Sequence, residues 1–170
     1  MFDKFGEFDS AREFNEAAAG QLAQVDLTAL YELAGENGIE KPDVEDYING
    51  DVAELATPLM AALGKIDVET KELKPVEIVE DWVNYIREYT TEHPEMAIAV
   101  RKKGKSIKGC IAELLKWSFK NAYQVPDDIV KAAGITATLK MGIPGMGRAY
   151  KIIRAYYLGG AKTDEKEKRS

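Results

Sequence analysis

Two clusters of cations and one glycine run are the features of this sequence whose residue types and spacing could do chemistry. Arg101-Lys102-Lys103-Gly104-Lys105 together with Lys108 puts five positive charges within eight residues. Such a cluster suits phosphate or carboxylate, because neutralising a polyanion releases its condensed counterions. The second cluster is Arg148, Lys151 and Arg154, recurring at i, i+3 and i+6 around Tyr150, Ile152 and Tyr157. It follows Gly142-Ile143-Pro144-Gly145-Met146-Gly147, whose backbone amides, ahead of a helix, could cradle an anion. That run lacks the Gly-Lys-Ser/Thr of a Walker loop and the preceding βαβ pattern of a dinucleotide fingerprint, so a structural turn competes with the anion reading. All eight cations are read as partner-binding residues.

Raw material for catalysis is thin, since a nucleophile, a base and an electrostatic stabiliser must converge. His93, the single histidine, lies between Glu92 and Pro94 at a helix junction. Cys110 falls on an apolar stripe with Ile111 and Leu114, as a buried, inert thiol does. No catalytic residue is assigned, and the chain is read as not an enzyme. One Cys and one His cannot supply the four ligands of a structural zinc site. Glu77, Glu80 and Asp81 share a helix side, but acids in a first turn are what the helix dipole favours. Asp43-Val44-Glu45-Asp46 lacks calcium-loop spacing, the mid-loop glycine and the closing Glu. No metal and no cofactor are expected.

Charge is unevenly spread along the chain. Residues 1–80 hold 19 Asp and Glu against 6 Lys and Arg, a balance of −13, whereas residues 81–170 hold 10 against 17, a balance of +7, giving the net −6. An acidic face can meet basic surfaces or repel nucleic acid, and a basic face can meet phosphates or carboxylates. The opening Met1-Phe2-Asp3-Lys4-Phe5 carries no basic n-region or apolar h-region. No stretch reaches the ~18 apolar residues of a membrane span. With an unpaired cysteine, a reducing cytoplasm is the expected location.

Helical periodicity dominates the elements that must position these groups. Ser10 and Glu13 form a capping box ahead of a helix over about 10–23. Asp26 caps a second helix that Asn37-Gly38 stops, and Pro42 opens a short third that Asn49-Gly50 closes. Asp51 is expected to start a fourth, up to Gly64, with a kink or break at Pro58. Lys65 to Lys74 reads as a charged, weakly periodic junction between halves. Pro75 is expected to open the longest helix, ending at His93-Pro94, and Pro94 begins another that Gly104 ends. A helix over about 106–122, capped by Ser106, carries Ile107, Cys110, Ile111, Leu114, Leu115, Ser118 and Phe119 spaced for burial. Pro126-Asp127-Asp128 begins a short helix to Gly134, residues 136–142 could form a short strand, and a last helix ends at Gly159-Gly160. The chain is therefore expected to be all-α, as two small bundles in tandem or one continuous bundle, with at most a short strand or hairpin near 135–142. The expected division is an acidic helical domain over 1–66, a basic helical domain over 67–160 and a charged tail over 161–170.

From Trp82 through Gly159 the chain resembles the PcfK-like proteins of conjugative plasmids and integrative elements, a family that includes anti-CRISPR inhibitors of the type II effector nuclease. Lys105-Ser106-Ile107-Lys108-Gly109-Cys110-Ile111, the amphipathic helix that follows, and Tyr156-Tyr157 carry the resemblance. The opening Met1–Ser10 and the run Gly142–Gly147 also look like members with a longer amino-terminal half. The resemblance implies a small cytosolic protein from a mobile element that binds a type II CRISPR effector, or its guide-RNA complex, and blocks it by surface complementarity. The alternative is an accessory protein of a conjugative or integrative element that binds nucleic acid through its basic half, with the helices over 106–122 and 127–133 as a helix-turn-helix.

Overall fold

In this computed structural model the described residues are 1–159, and the charged tail expected at 161–170 lies outside them. Their architecture is all-α: α1 Ala11–Ala23, α2 Leu27–Glu36, α3 Lys41–Asn49, α4 Pro58–Leu73, α5 Ile78–Glu92, α6 Pro94–Arg101, α7 Ile107–Lys120, α8 Asp127–Ala132 and α9 Met146–Leu158. The strands β1 Tyr123–Gln124 and β2 Lys140–Met141 pair antiparallel, Tyr123 opposite Met141 and Gln124 opposite Lys140. The strand expected within 136–142 is β2; its partner β1 is too short to show a period.

Local chemistry sets most of the boundaries. Ser10 Oγ accepts the Glu13 amide at 3.2 Å and Asp26 Oδ1 accepts the Ala29 amide at 3.0 Å, satisfying amides that a helix start leaves orphaned. Gly50 closes α3 at φ 80°, a left-handed conformation cheap for glycine. Pro58 does not kink a helix begun at Asp51. It opens α4 behind the cap Thr57, whose Oγ1 accepts the Met60 amide at 3.1 Å, and residues 51–57 are irregular. The ring removes only an amide that would have been orphaned there. At 16 residues α4 is also longer than α5, at 15, which starts at Ile78 rather than at Pro75.

Two compact units divide the chain, Met1–Gly109 and Cys110–Ser170. The junction expected around residues 65–74 is instead helical, so the division expected between 66 and 67 falls inside α4. Within the first unit α4 packs on α1, α5 and most extensively on α6. Phe14, Leu30, Leu33, Val44 and Leu55 are buried in one cluster, with Trp82, Ile86 and Met96 also buried. The approach of α4 to the α2–α3 turn requires glycine on both sides. A Cβ on Gly64 would lie 2.2 Å from the Asn37 carbonyl oxygen, and one on Gly38 2.3 Å from that of Gly64. The second unit holds α7 from Cys110 onward, the β1–β2 pair, α8 and α9, with Leu114, Val125, Val130, Ala149, Ile153 and Tyr157 buried.

Candidate functional site

The basic turn after α6 is an internal joint of the first unit rather than an open cation patch. Arg101 is 2% exposed. Its Nη2 donates to Asn37 Oδ1 at 2.8 Å, and its guanidinium lies near the Phe2 and Phe8 rings, at 5.6 and 6.0 Å. Arg101 is thereby removed from the set of surface contacts expected of the cluster: a charge enclosed by aromatic rings and Asn37 cannot face a partner. Burial pulls its guanidinium below the ordinary value, with Glu7 and Glu69 opposing. The amino-terminal segment supplies the cover. Asp9 Oδ1 accepts the Lys103 amide at 2.9 Å and Glu7 Oε2 the Gly104 amide at 3.4 Å. Lys65, 1% exposed, reaches the same turn, donating to Glu7 Oε1 at 2.5 Å and to the carbonyls of Lys102 at 3.1 Å and Lys105 at 2.6 Å. Beside it Glu69 Oε2 accepts the Ile107 amide at 2.6 Å. Burial pushes the Glu69 carboxyl above its ordinary range, against the pull of that amide and of Lys65. Lys102, Lys103 and Lys108 are exposed and Lys105 is partly buried.

The other expected cations sit in the second unit. Arg148 and Lys151 are exposed and Arg154 is partly buried; the Arg148 guanidinium lies 5.9 Å from the centre of the Trp117 ring. The two sets therefore belong to different units. The glycine run is anchored at its start, where a Cβ on Gly142 would lie 2.3 Å from the Ser118 carbonyl oxygen, whereas Gly145 and Gly147 have open space. Gly145 is the backbone cap of α9.

The second unit also carries a feature that periodicity missed. Leu115 and Phe119, expected to be buried, are exposed, Phe119 to 91%. At 100° per residue Phe119 stands ~120° around α7 from Ile107 and outside the stripe of Ile107, Cys110, Ile111 and Leu114; that angle was the available signal. Among the described residues, nine large apolar side chains from Leu115 to Met146 are exposed in the second unit, against seven in the longer first unit. Basic groups accompany them. Residues 110–159 hold Glu113, Asp127 and Asp128 against Lys116, Lys120, Lys131, Lys140, Arg148, Lys151 and Arg154, a balance of +4. Exposed apolar side chains gathered with polar neighbours mark interaction surfaces.

Other candidates are weaker in geometry. The His93 ring stacks on Tyr89 at 3.7 Å, with Nδ1 3.1 Å from the Tyr89 carbonyl oxygen, and Cys110 is buried. No group of three or more His, Cys, Asp and Glu side chains among the described residues is arranged to hold a metal ion. A cavity of about 260 Å³ lined by Glu69, Glu72, Leu73, Ser106, Lys108 and Met1 lies in the first unit, below the usual size of a small-molecule site. No helix among the described residues is long and apolar enough to cross a membrane. Comparison with known protein families, curated proteins and solved structures finds no match.

Proposed function

We propose that this chain is a non-catalytic binding protein that attaches to a type II CRISPR effector nuclease, or to its guide-RNA complex, and inhibits it by occupying surface. The observation that carries the binding reading is the concentration of exposed apolar side chains, Phe119 foremost, in the second unit, whose residues 110–159 have a balance of +4. Burying such side chains is the main favourable term in protein association, and charge around them selects the partner. The effector as target rests on the resemblance to PcfK-like proteins carried by Lys105–Ile111 and Tyr156-Tyr157.

The alternative, a nucleic-acid-binding accessory protein, draws on the same cations. Against its helix-turn-helix, six residues containing β1 separate α7 from α8, and α8 opens on Asp127 and Asp128, where a short turn and a phosphate-tolerant helix start are expected. The test is co-elution of the full chain with purified effector, with and without guide RNA, beside binding to free DNA and RNA, and a DNA-cleavage assay. The expected result is effector binding with loss of cleavage. Binding to free nucleic acid with no effector contact would overturn it.

A further inference from the structure

We infer that the end of α7 and the β1–β2 pair form a docking surface for an acidic amphipathic segment of a partner protein. The inference deepens the binding reading without depending on which partner is correct. Tyr123 and Met141 are directly opposite in the two-residue ladder, so their side chains share one face of the ribbon. The residue after Met141 fixes where that ribbon lies. Gly142 is pressed on the end of α7, since a Cβ there would come 2.3 Å from the Ser118 carbonyl oxygen and 3.2 Å from the Ala122 Cα. Phe119 follows Ser118 in the chain and Ile143 follows Gly142, so four exposed apolar side chains, Phe119, Tyr123, Met141 and Ile143, issue from one end of the helix.

Charge selects the occupant. Lys116, Lys120 and Lys140 are exposed on the same elements; of the acids nearby, Glu113 is paired with Lys116 at 2.7 Å and Asp127 Oδ1 accepts from the Gln124 side chain at 3.5 Å. An apolar centre with a cationic rim complements an apolar stripe flanked by carboxylates. A second copy docking the same face on itself would oppose like charges. Single-stranded nucleic acid would use aromatic faces for stacking, and here only Phe119 and Tyr123 offer them, whereas Met141 and Ile143 offer none. The chemistry thus favours a protein segment.

The test uses the isotope-labelled full chain and a synthetic helical peptide with leucine along one face and glutamate along the other. Amide shifts concentrated at residues 115–124 and 140–146 are expected. The Phe119→Ser/Ile143→Ser variant should bind the peptide at least about 10-fold more weakly with an unchanged thermal midpoint, because both side chains are exposed. A peptide with lysine replacing glutamate should bind at least about 10-fold more weakly as well. Equal binding of the lysine peptide, shifts elsewhere or no shifts would overturn the inference. So would tighter binding of a single-stranded oligonucleotide at the same residues, or self-association that Phe119→Ser abolishes. Failure of effector binding would remove the proposed target and leave this result standing.

Discussion

Lys65 and Phe119 mark opposite treatments of a side chain by the two units. The lysine, whose ammonium is costly to bury, is 1% exposed and saturated by Glu7 and two carbonyl oxygens, while the phenylalanine, which water disfavours, is 91% exposed. The first unit spends polar groups on holding its own segments together, with Arg101 bound to Asn37 and Asp9 to the Lys103 amide. The second leaves apolar groups outside a small core. Buried ion pairs are weak evidence of stability but strong determinants of arrangement once one partner is removed. Exposed apolar groups cost little in the folded chain and contribute when a partner covers them.

The largest effect that sharpens this contrast is a cut before Lys74. Because α4 packs most extensively on α6, whose Met96, Ala97 and Val100 are buried, a chain starting at Lys74 loses the main packing partner of α6, and its unfolding by circular dichroism should be non-cooperative. A cooperative transition would restore a division near residue 66. Next, Arg101→Ala should cost about 3 to 4 kcal/mol in urea unfolding, leaving a void and an unpaired Asn37 Oδ1. Lys102→Ala and Lys103→Ala, two steps along the same cluster but exposed, should each stay within ~0.5 kcal/mol. Equal effects would mean the cluster is uniform after all.

Glycines separate the units in the same way. Gly64→Ala should destabilise by about 2 to 3 kcal/mol, because its Cβ meets the Asn37 carbonyl. Gly147→Ala, in open space within α9, should stabilise by about 0.5 kcal/mol and leave binding unchanged. The smallest effect concerns pH. Glu69 titrates above its ordinary value in the fold, chiefly through burial, so its contribution is fully present below the unfolded value and declines as pH rises through the folded one. Glu69→Gln keeps an acceptor for the Ile107 amide, and the variant should be the more stable chain near neutrality, with its advantage vanishing on acidification. A growing advantage in acid would reverse the sign.

Where structure follows from neighbours in sequence, it was legible. Ser10 with Glu13, Asp26, Asn49-Gly50 and Pro94 act within one helical turn, and each boundary they imply is observed within a residue or two. Pro58 misled because proline can break a helix or begin one, and the cap at Thr57 decides which. Arg101 and Lys65 were illegible for a different reason. A run of cations has the pattern of a solvated face, and what encloses this one comes from Asn37, 64 residues from Arg101, and from Glu7, 97 residues from Gly104. Phe119 lay between these cases: the stripe of α7 was readable, but how far around the helix its cover extends depends on what packs there. The pairing of Tyr123 with Met141 had no signal, since two residues cannot display a strand period.

The central claim is that the partner is met through the apolar end of α7 and not through the basic turn after α6. The direct measurement is inhibition of purified guide-loaded type II nuclease, titrated with the wild-type chain, Phe119→Ser/Ile143→Ser and Lys102→Glu/Lys103→Glu. Inhibition should weaken at least about 10-fold in the first variant and by no more than about 3-fold in the second, as truncating an anchor and changing a distant exposed charge differ. The reverse order, or full inhibition by the Phe119→Ser/Ile143→Ser chain, would contradict it.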